Sequence, residues 1–162
     1  MPGTRRLARV LALQALFEAD KANHNAISVF DRTMAELVIL EDASSYLQRL
    51  SEGRLVDALE KQIKNVKQAE PYARELIEGV GLEMRNIDQT INDYAKEFPV
   101  QQLPAIERNI LRVAIWESMF QKQTPPKVAI DEAVEIAKAF GSDASAKFIN
   151  GVLGSLMAEA NR

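Results

Sequence analysis

Arg5, Arg6 and Arg9, together with the terminal amine, form a cluster of positive charge that meets no acidic side chain before Glu18. Cations grouped in this way could hold an anion such as a phosphate backbone. They fall in the first turns of a segment that reads as a helix, where the unpaired N–H groups already carry a partial positive charge. Arginine is mildly unfavourable there for the helix and favourable for an anionic ligand. Three arginines taken alone also fit a plain solvated helix end. A second kind of chemistry is offered by carboxylates at one-face helical spacing, Asp131 with Glu135 and Glu132 with Glu135, which could do acid–base work. Acids in the first turn of a helix also stabilise its dipole, and Asp131 and Glu132 read as such first-turn residues, which needs no catalysis.

The composition narrows these options. The chain has 162 residues, no cysteine and a single histidine, His24, which excludes disulfides, thiolate metal sites, cysteine nucleophiles and two-histidine chemistry. No phosphate-binding loop, dinucleotide fingerprint, zinc-protease helix or nucleophile elbow is present. No catalytic residue, metal or cofactor is therefore expected. Twenty basic against 23 acidic residues leave a net charge of −3, so any nucleic-acid binding has to be local. No stretch approaches the roughly 18 uncharged apolar residues of a membrane span. The opening MPGTRRLARVLALQALFEAD lacks a small-residue cleavage site, which makes a cytoplasmic protein the expectation.

The elements that position these groups all read as helical. Leu7, Val10, Leu11, Leu13, Leu16 and Phe17 recur at three- and four-residue spacing over about 5–21, with Thr4 as an N-cap and His24 in the following turn. Phe30, Met34, Leu37 and Val38 mark a second helix over about 28–40, and Leu55, Leu59, Ile63 and Val66 a surface helix after Gly53. Pro71 reads as a helix start, Gly79 or Gly81 as a pause, and Asn86 or Asp88 as the cap of a continuation to Phe98, where Pro99 ends it. Pro104 opens a helix carrying Ile106, Ile110, Leu111 and Ile115, with Trp116 on a stripe that reads as core, and Thr124, Pro125 and Pro126 break it. A short helix over 131–140 closes at Gly141 as a left-handed cap, and a last helix from Ser142 or Ser145 carries Phe148, Ile149, Val152 and Leu156. The expectation is an all-α, compact bundle of about seven helices in one domain over 1–162.

The tail reads AIERNILRVAIWESMF, then PPKVAIDEAVEIAKAFG, then SAKFINGVLGSL. With the opening RRLARVLALQALF and the central GVGLEMRNIDQTI, this ordered set resembles the NusB family, the bacterial transcription antitermination factors. The resemblance implies a non-enzymatic, all-helical protein that binds boxA RNA together with NusE, ribosomal small-subunit protein ten. With RNA polymerase and the other Nus factors it would suppress termination, chiefly in ribosomal RNA operons; family members occur as monomers or as a homodimer. Carried over by position, Arg5, Arg6 and Arg9 match the family's basic first helix, and Lys147 and Phe148 of KFING match its boxA contacts. Phe17 and Glu107 match positions at the NusE interface. Phe148 equally fits the apolar stripe of the last helix, Phe17 fits the core, and Glu107 fits a dipole role after Pro104. Asn150 and Gly151 imply a side-chain hydrogen bond or close helix packing, and Arg112 an internal ion pair.

The chain departs from the family in having Asp131 where asparagine is usual, Leu7 interrupting the arginines, and a longer segment at about 41–68, read as a helical extension. Two other functions compete. One is the NusB-like module of ribosomal RNA cytosine methyltransferases, which needs a following cofactor domain that a chain ending at Arg162 would lack. The other is a helical scaffold that binds protein only.

Overall fold

The computed structural model describes residues 2–50 and 54–160, with side chains described at 3–39 and 61–160. Among the described residues there is no strand, and six α-helices appear: α1 (Pro2–Ala22), α2 (Ala26–Leu50), α3 (Arg54–Tyr94), α4 (Ala105–Ile115), α5 (Pro126–Phe140) and α6 (Asp143–Ala160). The chain divides into two compact units, Met1–Glu75 and Leu76–Arg162.

In the first unit α1 packs on α2. Ala8, Leu11, Ala12, Ala15, Leu16 and Ala19 are buried, the three- and four-residue spacing of one helical face. The helix already begins at Pro2, so Thr4 lies inside it and is not its cap. Asn23 takes a left-handed conformation just past the end of α1 (φ 57°), a place that asparagine tolerates better than most residues. His24 follows, exposed in the turn as expected. Asn25 then caps α2, its Oδ1 accepting from the Ser28 N–H at 3.1 Å, which starts that helix two residues before the expected Ser28. Val29 and Phe30 are the buried residues at its start.

The expected breaks at Pro71, at Gly79 or Gly81 and at Asn86 or Asp88 do not occur. α3 is one helix of 41 residues through all of them, which lowers the helix count from seven to six. Proline in a helix interior costs about 3 kcal/mol, and tertiary packing overrides that preference here. Ala69, Ala73, Leu76, Ile77, Val80, Ile87 and Ile91 form one buried stripe that persists across the proline and both glycines. The helix stops at Tyr94, four residues short of Phe98. Of the segment at 41–68, α2 covers the start and α3 the end; residues 51–53, Gly53 among them, and the side chains of Leu55 and Leu59 lie outside the described residues.

The second unit packs α4 against α5 and α6, and α5 against α6. Leu111, Ile115, Ile149 and Leu153 are fully buried at its centre. The connection from α3 to α4 is pinned by side chains. Asn92 Oδ1 accepts from the Val100 N–H at 2.7 Å, and buried Arg108 donates to the carbonyls of Val100, Gln101 and Leu103 at 3.3, 3.2 and 2.9 Å. After α4 the chain widens into a π-helical turn, Trp116–Gln121, that closes at Lys122 in a left-handed conformation (φ 62°). Trp116 is 8% exposed and belongs to the core, as its stripe implies. Gly79 is there because of it: a Cβ on Gly79 would lie 2.0 Å from Trp116 Cε2.

α5 begins at Pro126, not at Asp131, with Pro126 using the first-turn position where no N–H is needed. Asp131 and Glu132 are consequently beyond the first turn, and neither the dipole role nor a capping role holds for them. Gly141 has φ −117°, so it is not a left-handed cap. Its lack of a Cβ serves space instead, since that atom would sit 2.9 Å from Ser145 Oγ and 3.0 Å from the Ala137 carbonyl oxygen.

Candidate nucleic-acid interface

Within the first unit, Arg5 and Arg6 are exposed on the opening turns of α1, whereas Arg9 is 5% exposed and enclosed by the packing. Position along the helix separates them. Arg5 stands three residues before Ala8 and seven before Ala12, on the same face, yet is exposed in the opening turn, whereas Arg9 lies one turn further in and is covered. The Arg5 guanidinium lies 4.5 Å from the centroid of the Tyr72 ring on α3, a cation–π contact that orients it while leaving it at the surface. Sequence reasoning missed Tyr72, because no local pattern links positions so far apart. Phe17 is half-buried on α1, with Lys21 Nζ 5.3 Å from its ring centroid. Arg74 is committed elsewhere: it donates to Asp31 at 2.9 Å and to Glu70 at 3.3 Å, and the bond to Asp31 raises its pKa above the ordinary arginine value.

Within the second unit, the start of α6 is held by two serines. Ser142 Oγ accepts from the Ser145 N–H at 3.1 Å, an N-cap, and Ser145 Oγ donates to Glu107 Oε1 of α4 at 2.7 Å. Glu107 does sit in the first turn of α4, as the dipole reading requires, and also ties two helices together. From this anchored turn Lys147 projects exposed and Phe148 is partly exposed, so Phe148 is not sealed in the core. Lys147 lines a groove of about 600 Å³ between α5 and α6, shared with Asp131, Glu135, Lys138, Asp143 and Asn150. Asn150 is thus a surface residue. Gly151 is exposed with nothing within 4 Å of where a Cβ would stand, so close packing does not account for it. Arg112 forms the expected internal ion pair, with Asp88.

The structure therefore places Arg5, Arg6, Arg9 and Phe17 on one helix of the first unit, and Glu107, Lys147 and Phe148 near one helix junction of the second. Among the described residues no three of His, Cys, Asp and Glu stand where they could hold a metal ion. No described helix is long and apolar enough to cross a membrane.

The family model for the NusB family matches residues 6–158. The chain belongs to the NusB family. A relative from Dehalococcoides mccartyi, a transcription antitermination protein NusB, is 39% identical over 156 residues, covering 96% of this chain and 91% of its own. The solution structure of NusB from Aquifex aeolicus is similar with a TM-score of 0.69 at 25% identity, covering 96% of this chain and 88% of that one. A crystal structure of antitermination factors NusB and NusE in complex with dsRNA matches with a TM-score of 0.67 over 96% of each chain; at 24% identity it speaks for the NusB fold alone. The architecture of the described residues, all helical with six α-helices among them, is thus that of the NusB proteins.

Proposed function

We propose that the protein is a non-enzymatic transcription antitermination factor that binds boxA RNA together with NusE and helps RNA polymerase, with the other Nus factors, to read through terminators, notably in ribosomal RNA operons. It would act in the cytoplasm, with a homodimer as its resting alternative to the RNA-bound form. The observation that carries this reading is membership of the NusB family over nearly the whole chain, transcription antitermination proteins at 39% identity included. The surface is consistent with it. Exposed Arg5 and Arg6 supply charge for phosphates, while Lys147 and part-exposed Phe148 supply a cation and an aromatic face of the kind on which single-stranded bases stack. Phe17 and Glu107 are assigned to NusE. Arg9, being enclosed, is assigned to holding α1 in place and not to direct phosphate contact.

Salt dependence tests the assignment of the arginines. For single-stranded RNA, the slope of log affinity against log salt changes by about 0.7 for each phosphate the protein neutralises. Replacing Arg5 and Arg6 together by alanine should therefore make that slope shallower by about 1.4 and weaken binding while the fold stays intact. Arg9→Ala should instead lower thermal stability. An unchanged slope in the double variant would remove α1 from the RNA site and favour a scaffold that binds protein only.

A further inference from the structure

We infer that Ser145 is a positioning residue that couples the protein ligand to the RNA ligand, an inference that rests on the function proposed above. Ser145 is 7% exposed, and its hydroxyl donates to Glu107 Oε1 at 2.7 Å across 38 positions of sequence. Its oxygen also lies 3.2 Å from Ser142 Oγ. A serine has one hydroxyl hydrogen, and Ser145 gives it to Glu107, so Ser142 is the donor in that second contact. The absence of a Cβ at Gly141, which would stand 2.9 Å from Ser145 Oγ and 3.0 Å from Ser145 Cβ, leaves room for the side chain in this place. The two hydroxyl contacts orient Ser145 with the Glu107 carboxylate as its acceptor.

The consequence lies in what sits on either side. Glu107 is half-buried, and with Oε1 taken by Ser145 its carboxylate keeps Oε2 for a donor or cation on a partner protein. Lys147 and Phe148 stand two and three residues after Ser145, in the first turns of α6. A partner seated on Glu107 fixes the carboxylate, the carboxylate fixes Ser145, and the start of α6 is held in the conformation from which Lys147 and Phe148 meet RNA. By linkage, RNA bound there strengthens the hold on the partner by the same factor.

The test is a titration of boxA RNA by fluorescence anisotropy, with and without saturating NusE, for the natural protein and for Ser145→Ala and Ser142→Ala. Coupling between two ligands is ordinarily about 5- to 150-fold, and Ser145→Ala should lower the gain produced by NusE by about threefold or more. Its affinity for RNA without NusE should stay within about twofold, because Lys147 and Phe148 are still present. Ser142→Ala, which removes the α6 cap but leaves the bond to Glu107, should keep the gain. Ser145→Cys, near in size with only a weak donor, should lower it in the same direction and serves if the alanine variant fails to fold. A natural-type gain in Ser145→Ala, or an equal loss in Ser142→Ala, would overturn the inference and leave the proposed function standing. No gain from NusE in the natural protein would overturn both.

Discussion

Replacing Arg112 by alanine is expected to destabilise the second unit by about 3–5 kcal/mol, the range for removing one partner of a buried ion pair. Arg112 holds both oxygens of Asp88, Nε to Oδ1 and Nη2 to Oδ2, each at 2.9 Å. Its third arm donates to Asn109 Oδ1 at 3.1 Å. The two side chains are 7% and 16% exposed, so water cannot easily replace the guanidinium. The alanine variant strands a carboxylate and an amide oxygen in the interior and opens a cavity as well. Urea unfolding followed by circular dichroism should show a lower midpoint with an unchanged slope. Asp88→Asn, which keeps a carbonyl acceptor for the arginine, should cost less. A destabilisation below about 1 kcal/mol for Arg112→Ala would place the pair in the class of exposed ion pairs and contradict the packing described.

Gly79→Ala is the second large effect, and it runs against propensity. Alanine is favoured over glycine in a helix interior by about 0.8–1 kcal/mol, so an open position would be stabilised. Here the new Cβ would stand 2.0 Å from Trp116 Cε2, 2.2 Å from Cζ2 and 2.4 Å from Nε1, far inside contact distance. Forcing a methyl into a filled core costs typically about 1–3 kcal/mol and occasionally more, and with the indole itself buried the upper end is expected. For a chain of this size that corresponds to a fall in the melting temperature of roughly 5–10 °C. Trp116→Phe removes the atoms in conflict, so in a double-mutant cycle the Gly79→Ala penalty should shrink markedly in the phenylalanine background. An additive cycle would show that the tryptophan is not what holds position 79 to glycine. By contrast Gly81, with nothing near its missing Cβ, should accept alanine without penalty.

Local patterns in the chain carry most of the helices and little of their joints. The stripe of α1, the exposed His24 and the core position of Trp116 are legible from spacing, because each depends on residues within a few turns, whereas the internal role of Arg112 comes from the resemblance and its partner Asp88 lies on another helix. Pro71 and Gly79 mislead for one reason: both mark breaks only where packing does not decide, and the buried stripe of α3 decides here. Pro126 reads as the end of a break and is the first residue of α5, which moves Asp131 and Glu132 out of the first turn. At the candidate interface, residue types alone cannot separate Arg9 from Arg5 and Arg6; its place one turn further along the helix takes Arg9 into the packing. Nor can they show Tyr72 beneath Arg5 or Ser145 on Glu107, contacts between residues that only the fold brings together. The assignments to RNA and to NusE come from the family resemblance, since arginines at a helix start and an aromatic on a helical stripe have ordinary structural explanations.

The most direct test of the proposed function is the affinity of the natural protein for a short boxA RNA and for a scrambled RNA of the same composition, each measured by fluorescence anisotropy with and without NusE. Tighter binding to boxA, strengthened further by NusE, is the predicted result. Equal weak binding to both RNAs, unchanged by NusE, would contradict it.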